Sequence, residues 1–571
     1  MSAPRRLRSK IHALPKPQNP SRRKLLQQAA LATAAAAVLP ACGNSVLPSS
    51  VGASLPPAPS LISPFKHGIA SGDPLPNAVI LWTRVTPVAA EDIEVIVRVF
   101  RDTLLSQLVS SRVATASAAR DWTVKIDFDG LEPATTYYYQ FEAKSFQSTV
   151  GRTKTAPLGD VSRLRFGLVS CSSYAHGFFN AYAFLAKRQD LEAIVHLGDY
   201  IYEYASDAAS GDEVYGTARP YEPTFEMKTL ADYRTRHGYY KRTDPDLQEL
   251  HRQYAFITIW DDHESTDNAW RDAAANHNEG GKNEGIWTQR KSFAQQAYDE
   301  WMPIRLPEPG NPNRIWRKYR YGNLAEWILT DSRLFDRDVQ LSTPIQPQEP
   351  RNNATRKLLG PVQKQFLLDS VKNSTSTWKL VGNQVVFMQW SYIAGLKAAG
   401  GPTGLNGDSW DAYTAERQSI IDNFRANSIK NVIICTGDVH CSWVGDITDD
   451  PNNASAYNPT NGTGSVCTEY VVTSVTSPAA EALAQVAAGI ESFKGLNPHI
   501  KYIELTQKGY MLLDITPQRV QGEVYFVSTI ATRGGSERFV TAFPTALDAN
   551  RLSAAVTMPS TPVADAPALA P

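Results

Sequence analysis

The sequence predicts an α/β catalytic fold preceded by an all-β sandwich. Three observations lead there. Residues 61–158 carry strand-like runs separated by turn signals. From about residue 163, short apolar runs alternate with helical stretches. Several of those runs stop at clusters of Asp, His, Asn or Cys, where α/β sheets place their ligand sites.

The chain has 571 residues, of which 42% are hydrophobic and 20% charged, as in ordinary globular proteins. That length suits two large domains of an α/β enzyme. Lys plus Arg and Asp plus Glu both number 57, which leaves no electrostatic footprint for nucleic acid or an acidic membrane. No stretch is apolar and long enough to span a bilayer.

Residues 1–41 predict an export signal. Arg5, Arg6, Arg8 and Lys10 open a basic region, Ser21-Arg22-Arg23-Lys24-Leu25-Leu26 follows, and a small apolar run covers Ala29 to Ala41. The paired arginines resemble the twin-arginine type, which implies a partner in that export machinery and a periplasmic or cell-envelope location. Leu39-Pro40-Ala41-Cys42-Gly43 leaves two outcomes open. Cys42 is a lipidation candidate, which would give the only membrane attachment, and a plain cut after Ala41 would leave a soluble protein. Residues 42–60, rich in Ser and Pro, read as a linker. The other cysteines, Cys171, Cys435, Cys441 and Cys467, are too sparse for a disulfide framework.

In the β region, Val79–Val85 and Ile93–Val99 read as strands, and Gly72-Asp73-Pro74 and Asp129-Gly130 as turns. Gly130 to Phe141, with Tyr137-Tyr138-Tyr139, resembles the end of a fibronectin type III or immunoglobulin-like sandwich, where a tyrosine pins a corner by bonding to backbone. The α/β region spans 159–540. Its strand candidates are Leu164–Val169, Ala193–Leu197, Ala255–Ile259, Trp327–Leu329, Trp378–Val381 and Val432–Ile434. Its helix candidates are Phe178–Arg188, Lys291–Trp301, Pro361–Val371 and Ala415–Ala426. Residues 541–571, rich in Ala and Pro, predict a disordered tail.

Four strand ends carry the chemistry: Ser170-Cys171, Gly198-Asp199-Tyr200-Ile201-Tyr202, Trp260-Asp261-Asp262-His263-Glu264 and Gly437-Asp438-Val439-His440. Carboxylates brought together there need a cation to stay charged. Asp438 and His440 share a face in extended chain, and Asp199 and Tyr202 share one if the chain turns helical. A carboxylate such as Asp199 can give one oxygen to each of two ions.

These segments resemble the alkaline phosphatase D family of metallophosphatases, across nearly all of residues 65–530. His67-Gly68-Ile69-Ala70-Ser71-Gly72-Asp73-Pro74 and Leu81-Trp82-Thr83-Arg84 belong to the same imprint, and Thr330–Arg333 and Gly382-Asn383-Gln384 are weaker echoes. The resemblance implies an α/β metallophosphatase sandwich. It implies Cys171, Asp199, Tyr202 and His440 at a first metal, with Asp199 bridging, and Asp262 and Asp438 at a second. His263 would serve the substrate, as donor to phosphate or acid to the leaving group. Asn383 and Arg333 are candidate contacts to phosphate. Tyrosine ionises near pH ~10, so a phenolate ligand implies a strong Lewis acid, Fe3+, at the first position. Oxygen ligands at the second favour a hard ion, and the resemblance points to Ca2+, with Mn2+, Mg2+ or Zn2+ as alternatives.

The expected activity is hydrolysis of phosphate monoesters or diesters by a metal-activated hydroxide. Two other readings stay open: a phospholipase D-type diesterase on the same metals, and a non-catalytic surface-binding protein. Neither a Gly-x-Ser-x-Gly elbow nor a phosphate-cradling lysine loop was found to support other chemistry.

Overall fold

The computed structural model describes residues 63–571, apart from 212–213, 215, 217, 344, 346–348, 391–405 and 480–489. The signal at 1–41, the lipidation candidate Cys42 and the linker at 42–60 lie outside the described residues.

Two sheets face each other. The first has nine strands in the order Glu537–Ala546, Arg519–Val527, Gly509–Ile515, Leu164–Val169, Ala193–His196, Ala255–Thr258, Ile69–Gly72, Ala78–Arg84 and Thr123–Asp129. The second has seven: Arg317–Tyr321, Ala325–Leu329, Trp378–Gly382, Val432–Thr436, Cys467–Val471, Ser442–Ile447 and Ile500–Glu504. Both have parallel centres. Those central strands read as continuous apolar runs because both of their faces are buried. Between the sheets the ring of Phe166 meets Tyr321 and Trp327, at centroid distances of 4.9 and 5.5 Å.

Helices Asn180–Ala186 and Pro245–Gln253 add Leu185, Leu247 and Leu250 to the core of the first sheet. Helices Gly360–Asn373 and Thr414–Ala426 set Leu367, Val371, Ile420 and Phe424 with Ile328, Val381 and Ile434 of the second. Among the helices not anticipated are Leu230–Thr243 and Pro245–Gln253. Both carried a readable start. Thr229 and Asp232 form a capping box, and Asp244 caps the next helix ahead of Pro245.

The N-terminal region expected at 61–158 shares a sheet with the α/β region. Its strands Ile69–Gly72, Ala78–Arg84 and Thr123–Asp129 complete the nine-stranded sheet, with Ser71 registered against Ala255. The remaining strands, Ile93–Phe100, Leu108–Ala116, Thr136–Ala143, Phe146–Gln147 and Gly151–Lys154, form a second layer over them. The layers share a core of Val79, Leu81, Val95, Val97, Val124 and Phe141. Tyr137 makes a corner bond: its hydroxyl oxygen accepts the backbone N–H of Glu132 at 2.8 Å.

The junction explains the Gly72-Asp73 motif. A Cβ on Gly72 would sit 2.1 Å from the carbonyl oxygen of Pro303, so only glycine permits that approach. Asp73, fully buried, accepts from Arg317 through both carboxylate oxygens, at 3.0 Å each.

The tail at 541–571, expected to be disordered, packs against the body. Residues 541–546 belong to the edge strand Glu537–Ala546. Beyond it, Ser560 N–H donates to Glu523 at 2.7 Å and Val563 N–H to Asp190 at 3.0 Å. The carbonyl of Ala568 accepts from Tyr138 at 2.6 Å, and Gln253 bonds both polar backbone groups of Ala570. Side chains distributed over the body thus satisfy a backbone that has no apolar pattern of its own.

Candidate metal centre

Four strand ends meet at one point between the sheets. Leu164–Val169 delivers Cys171, Ala193–His196 delivers Asp199 and Tyr202, Ala255–Thr258 delivers Asp261 to Glu264, and Val432–Thr436 delivers Asp438 and His440. Gly198 lets two of these ends touch, since a Cβ there would lie 2.4 Å from that of Asp261. Cys171, Asp199, Asp438 and His440 all adopt left-handed backbone, at φ of 58°, 56°, 67° and 58°. Non-glycine residues held there cost backbone energy that the surrounding structure must meet.

Donor atoms of Cys171, Asp199 and His440 lie within 4.8 Å of one another, as do those of Asp199, Asp262 and His263, and those of Asp261, Asp262 and Asp438. Asp199 is common to the first two groups and Asp262 to the last two. The hydroxyl of Tyr202 donates to Asp199 Oδ2 at 2.9 Å and lies 3.2 Å from His440 Nε2. Nδ1 of His440 is 2.7 Å from the carbonyl of Pro478, to which it donates, so Nε2 faces the centre with its lone pair.

This donor set fits metal ions. Asp199 is buried, yet its Oδ1 has no hydrogen-bond partner. Burial, together with the carboxylate of Asp199, pushes the Cys171 thiol upward. Burial also raises Asp261, Asp262 and Asp438 above the usual carboxylate range, although Arg333 pulls each down. Cations there would restore the charged forms.

His263 sits beside this cluster, with its ring stacked on Tyr202 at 4.3 Å. Burial works against the imidazolium, but Asp262, Glu203 and Asp199 hold it well above its ordinary value.

The two candidate phosphate contacts stand differently relative to the cluster. Arg333 is central but fully buried, and its nitrogens engage Asp261, Asp408 and Asp438. It serves as counter-ion to the acidic cluster. Asn383 is turned away: its amide donates to the carbonyl of Val385, and its oxygen lies 3.4 Å from Trp410 Nε1. Trp410 itself is buried in the core.

Some participants were missed. Glu264 accepts the backbone N–H groups of Asp199, Tyr200 and Asp261, clasping two strand ends. Glu203 bonds His263. Both stand inside or beside the quoted segments. Asp408 follows no apolar run and gave no signal.

Buried strand-end carboxylates, an imidazole and a thiol meet between two α/β sheets, and the relatives of this chain make the class that of a phosphoric ester hydrolase. Residues 166–524 match the PhoD-like phosphatase family and residues 52–157 its N-terminal domain. The chain belongs to the PhoD-like phosphatase family. It is 34% identical to alkaline phosphatase D of Bacillus subtilis (strain 168) over 493 residues, covering 84% of this chain and 80% of that protein. It superposes on the solved structure of PhoD with a TM-score of 0.76 at 30% identity, covering 88% of this chain and 94% of that one.

Proposed function

We propose that this enzyme is an exported, metal-dependent phosphoesterase that holds Fe3+ through Cys171, Asp199, Tyr202 and His440, and Ca2+ through Asp199, Asp262 and Asp438. The observation that carries the reading is that Asp199, one of whose oxygens has no hydrogen-bond partner, is shared by two of the donor groups and Asp262 by two. When bound, the ions neutralise phosphate oxygens and lower the pKa of a water toward ~7.

The chain's own residues do the rest. Pro478 fixes the ring of His440. Arg333 offsets the carboxylates that face the second ion. His263, charged and buried beside Asp199 and Asp262, gives its proton to the departing ester oxygen.

The strand order of the β layers and the Tyr137 corner favour a fibronectin type III-like module as the N-terminal part. The segment at 1–41 favours the twin-arginine route, and changing Arg22 and Arg23 together to Lys should hold precursor in the cytoplasm. Unimpaired export of that variant would reject the route. Among the described residues, no helix is long and apolar enough to cross a membrane.

The test is metal analysis joined to assays on nitrophenyl phosphate and bis-nitrophenyl phosphate. Stoichiometric iron and calcium are expected, with a calcium chelator abolishing turnover and added calcium restoring it. Restoration by zinc alone would reverse the second assignment. A colourless protein carrying stoichiometric zinc would defeat the iron assignment. The ratio of the two substrates separates monoester from diester preference.

A further inference from the structure

We propose that the cavity between Lys66-His67 and the helix Leu230–Thr243 is a second anion site, which takes a phosphate group outside the metal centre. The proposal draws on the chain being a phosphatase and on no metal assignment.

The cavity holds about 480 Å³, and none of its lining residues belongs to the donor groups of the metal centre. Two segments singled out in the sequence meet there. The one that opens on His67-Gly68 gives His67 to the wall, and Leu81-Trp82-Thr83-Arg84 gives Arg84. Lys66, Arg234, Arg242 and Trp301 stand beside them.

The hydrogen-bonding capacity left over in this wall is mostly that of donors. Arg84 pairs with Asp121, Arg234 with Glu300 and Arg242 with Glu222, so the nearby carboxylates are engaged. Arg234 spends Nε and Nη2, and Arg242 spends Nη2, which leaves Nη1 of both without an acceptor among the described residues. Lys66 is exposed and has no ion-pair partner among the described residues. The wall thus carries a positive charge that no carboxylate answers.

His67 is the second, independent sign. It is only 7% exposed, yet neither ring nitrogen hydrogen-bonds to a described residue. Gly238 keeps Nε2 uncovered: a Cβ there would stand 3.5 Å from it. Burial first, then Arg84, Arg242, Lys241 and Lys66, lowers the imidazole to about 2. The neutral ring can still donate one hydrogen bond. The cations that disfavour a charged ring favour an anion beside it.

Arginine forks and a lysine suit the oxygens of phosphate, and a phosphatase releases that ion. Phosphate fills a small part of the cavity, so both the free ion and the phosphate group of an ester fit.

Equilibrium dialysis of the full chain, loaded with metal, tests the site with labelled inorganic phosphate and with labelled phenylphosphonate, a stand-in for an ester's phosphate group. Chloride at equal ionic strength controls for screening. Asp199→Asn, which disables the metal centre, should still bind phosphate. Adding Lys66→Glu should weaken that binding by about tenfold or more, because repulsion replaces attraction. Lys66 is exposed, so the fold should hold. Adding Gly238→Ala instead should weaken binding with no change of charge.

Phosphate bound by the wild type and lost entirely in Asp199→Asn would leave the metal centre as the one site and overturn the proposal. Binding that survives in Asp199→Asn but ignores both Lys66→Glu and Gly238→Ala would overturn it as well. Phenylphosphonate bound beside phosphate identifies an ester's phosphate group, and phosphate alone the free ion; either upholds the site. A protein without metal whose phosphate binding still follows Lys66→Glu would sink the metal reading and leave this one standing.

Discussion

The hydroxyl of Tyr202 donates to Oδ2 of Asp199 across 2.9 Å, and receives the hydroxyl of Ser477 at 2.6 Å. The phenol is therefore pinned from two sides at the edge of the donor cluster. Tyr202→Phe keeps the ring that stacks on His263 and removes only the oxygen. Visible absorption, expected from phenolate bound to ferric iron, should vanish while circular dichroism stays unchanged. Colour that survives the substitution would exclude Tyr202 as a ligand.

Asp199→Asn should be the more damaging change, because Asp199 is shared by two of the candidate donor groups. Loss of partners that merely support a ligand costs 10–100-fold, so loss of a carboxylate shared by both proposed sites should exceed about 10² in kcat. Both metals should fall together in elemental analysis. Loss of one metal with the other retained would show that Asp199 does not bridge.

Asp73 and Arg317 tie the N-terminal strands to the second sheet across 244 residues of chain. Removing one partner of a buried pair leaves an uncompensated charge, so Asp73→Ala should cost about 3–5 kcal/mol in denaturant unfolding. Turnover per folded molecule should stay within about twofold, since Asp73 joins none of the donor groups. A cost under about 1 kcal/mol would mean that this junction does not hold the molecule together.

Lys241 is 2% exposed, donates to Tyr200 at 2.9 Å, and has no carboxylate partner among the described residues. Burial lowers its pKa to about 7. The unfolded chain keeps this proton up to the ordinary lysine value near ~10.4. Between those two values the unfolded state binds more protons, so this group's contribution to stability rises with pH there. Below about 7 both states are charged, and the burial cost is felt in full. Lys241→Met should therefore raise Tm most at pH 6, and the gain should shrink by pH 9. An equal shift at both pH values would contradict the depressed pKa.

The donor cluster was legible because its segments follow apolar strands. The predicted run Leu164–Val169 matches the observed strand, and Val432–Ile434 is extended only to Thr436. What stayed hidden depends on partners far off in sequence. The pairing of Ser71 with Ala255 fuses two regions that composition separates. The tail is held by hydrogen bonds such as Tyr138 to Ala568, 430 residues apart, which no local pattern announces. Asp408 reaches Arg333 from a loop without periodicity. Asn383 ends the strand Trp378–Gly382, yet its amide is spent on Val385, because a strand end fixes a position and not a side chain's direction.

Cys171, Asp199, Asp438 and His440 all hold left-handed backbone, each costing about 1–3 kcal/mol for a residue with a side chain. Glycine adopts that conformation freely. In a laboratory lineage selected for heat resistance alone, glycine at Cys171 or Asp199 would relieve this backbone cost but empty a buried position, and the two effects oppose each other. A screen that ranks variants by melting temperature before testing catalysis is therefore blind to what these four backbones are for.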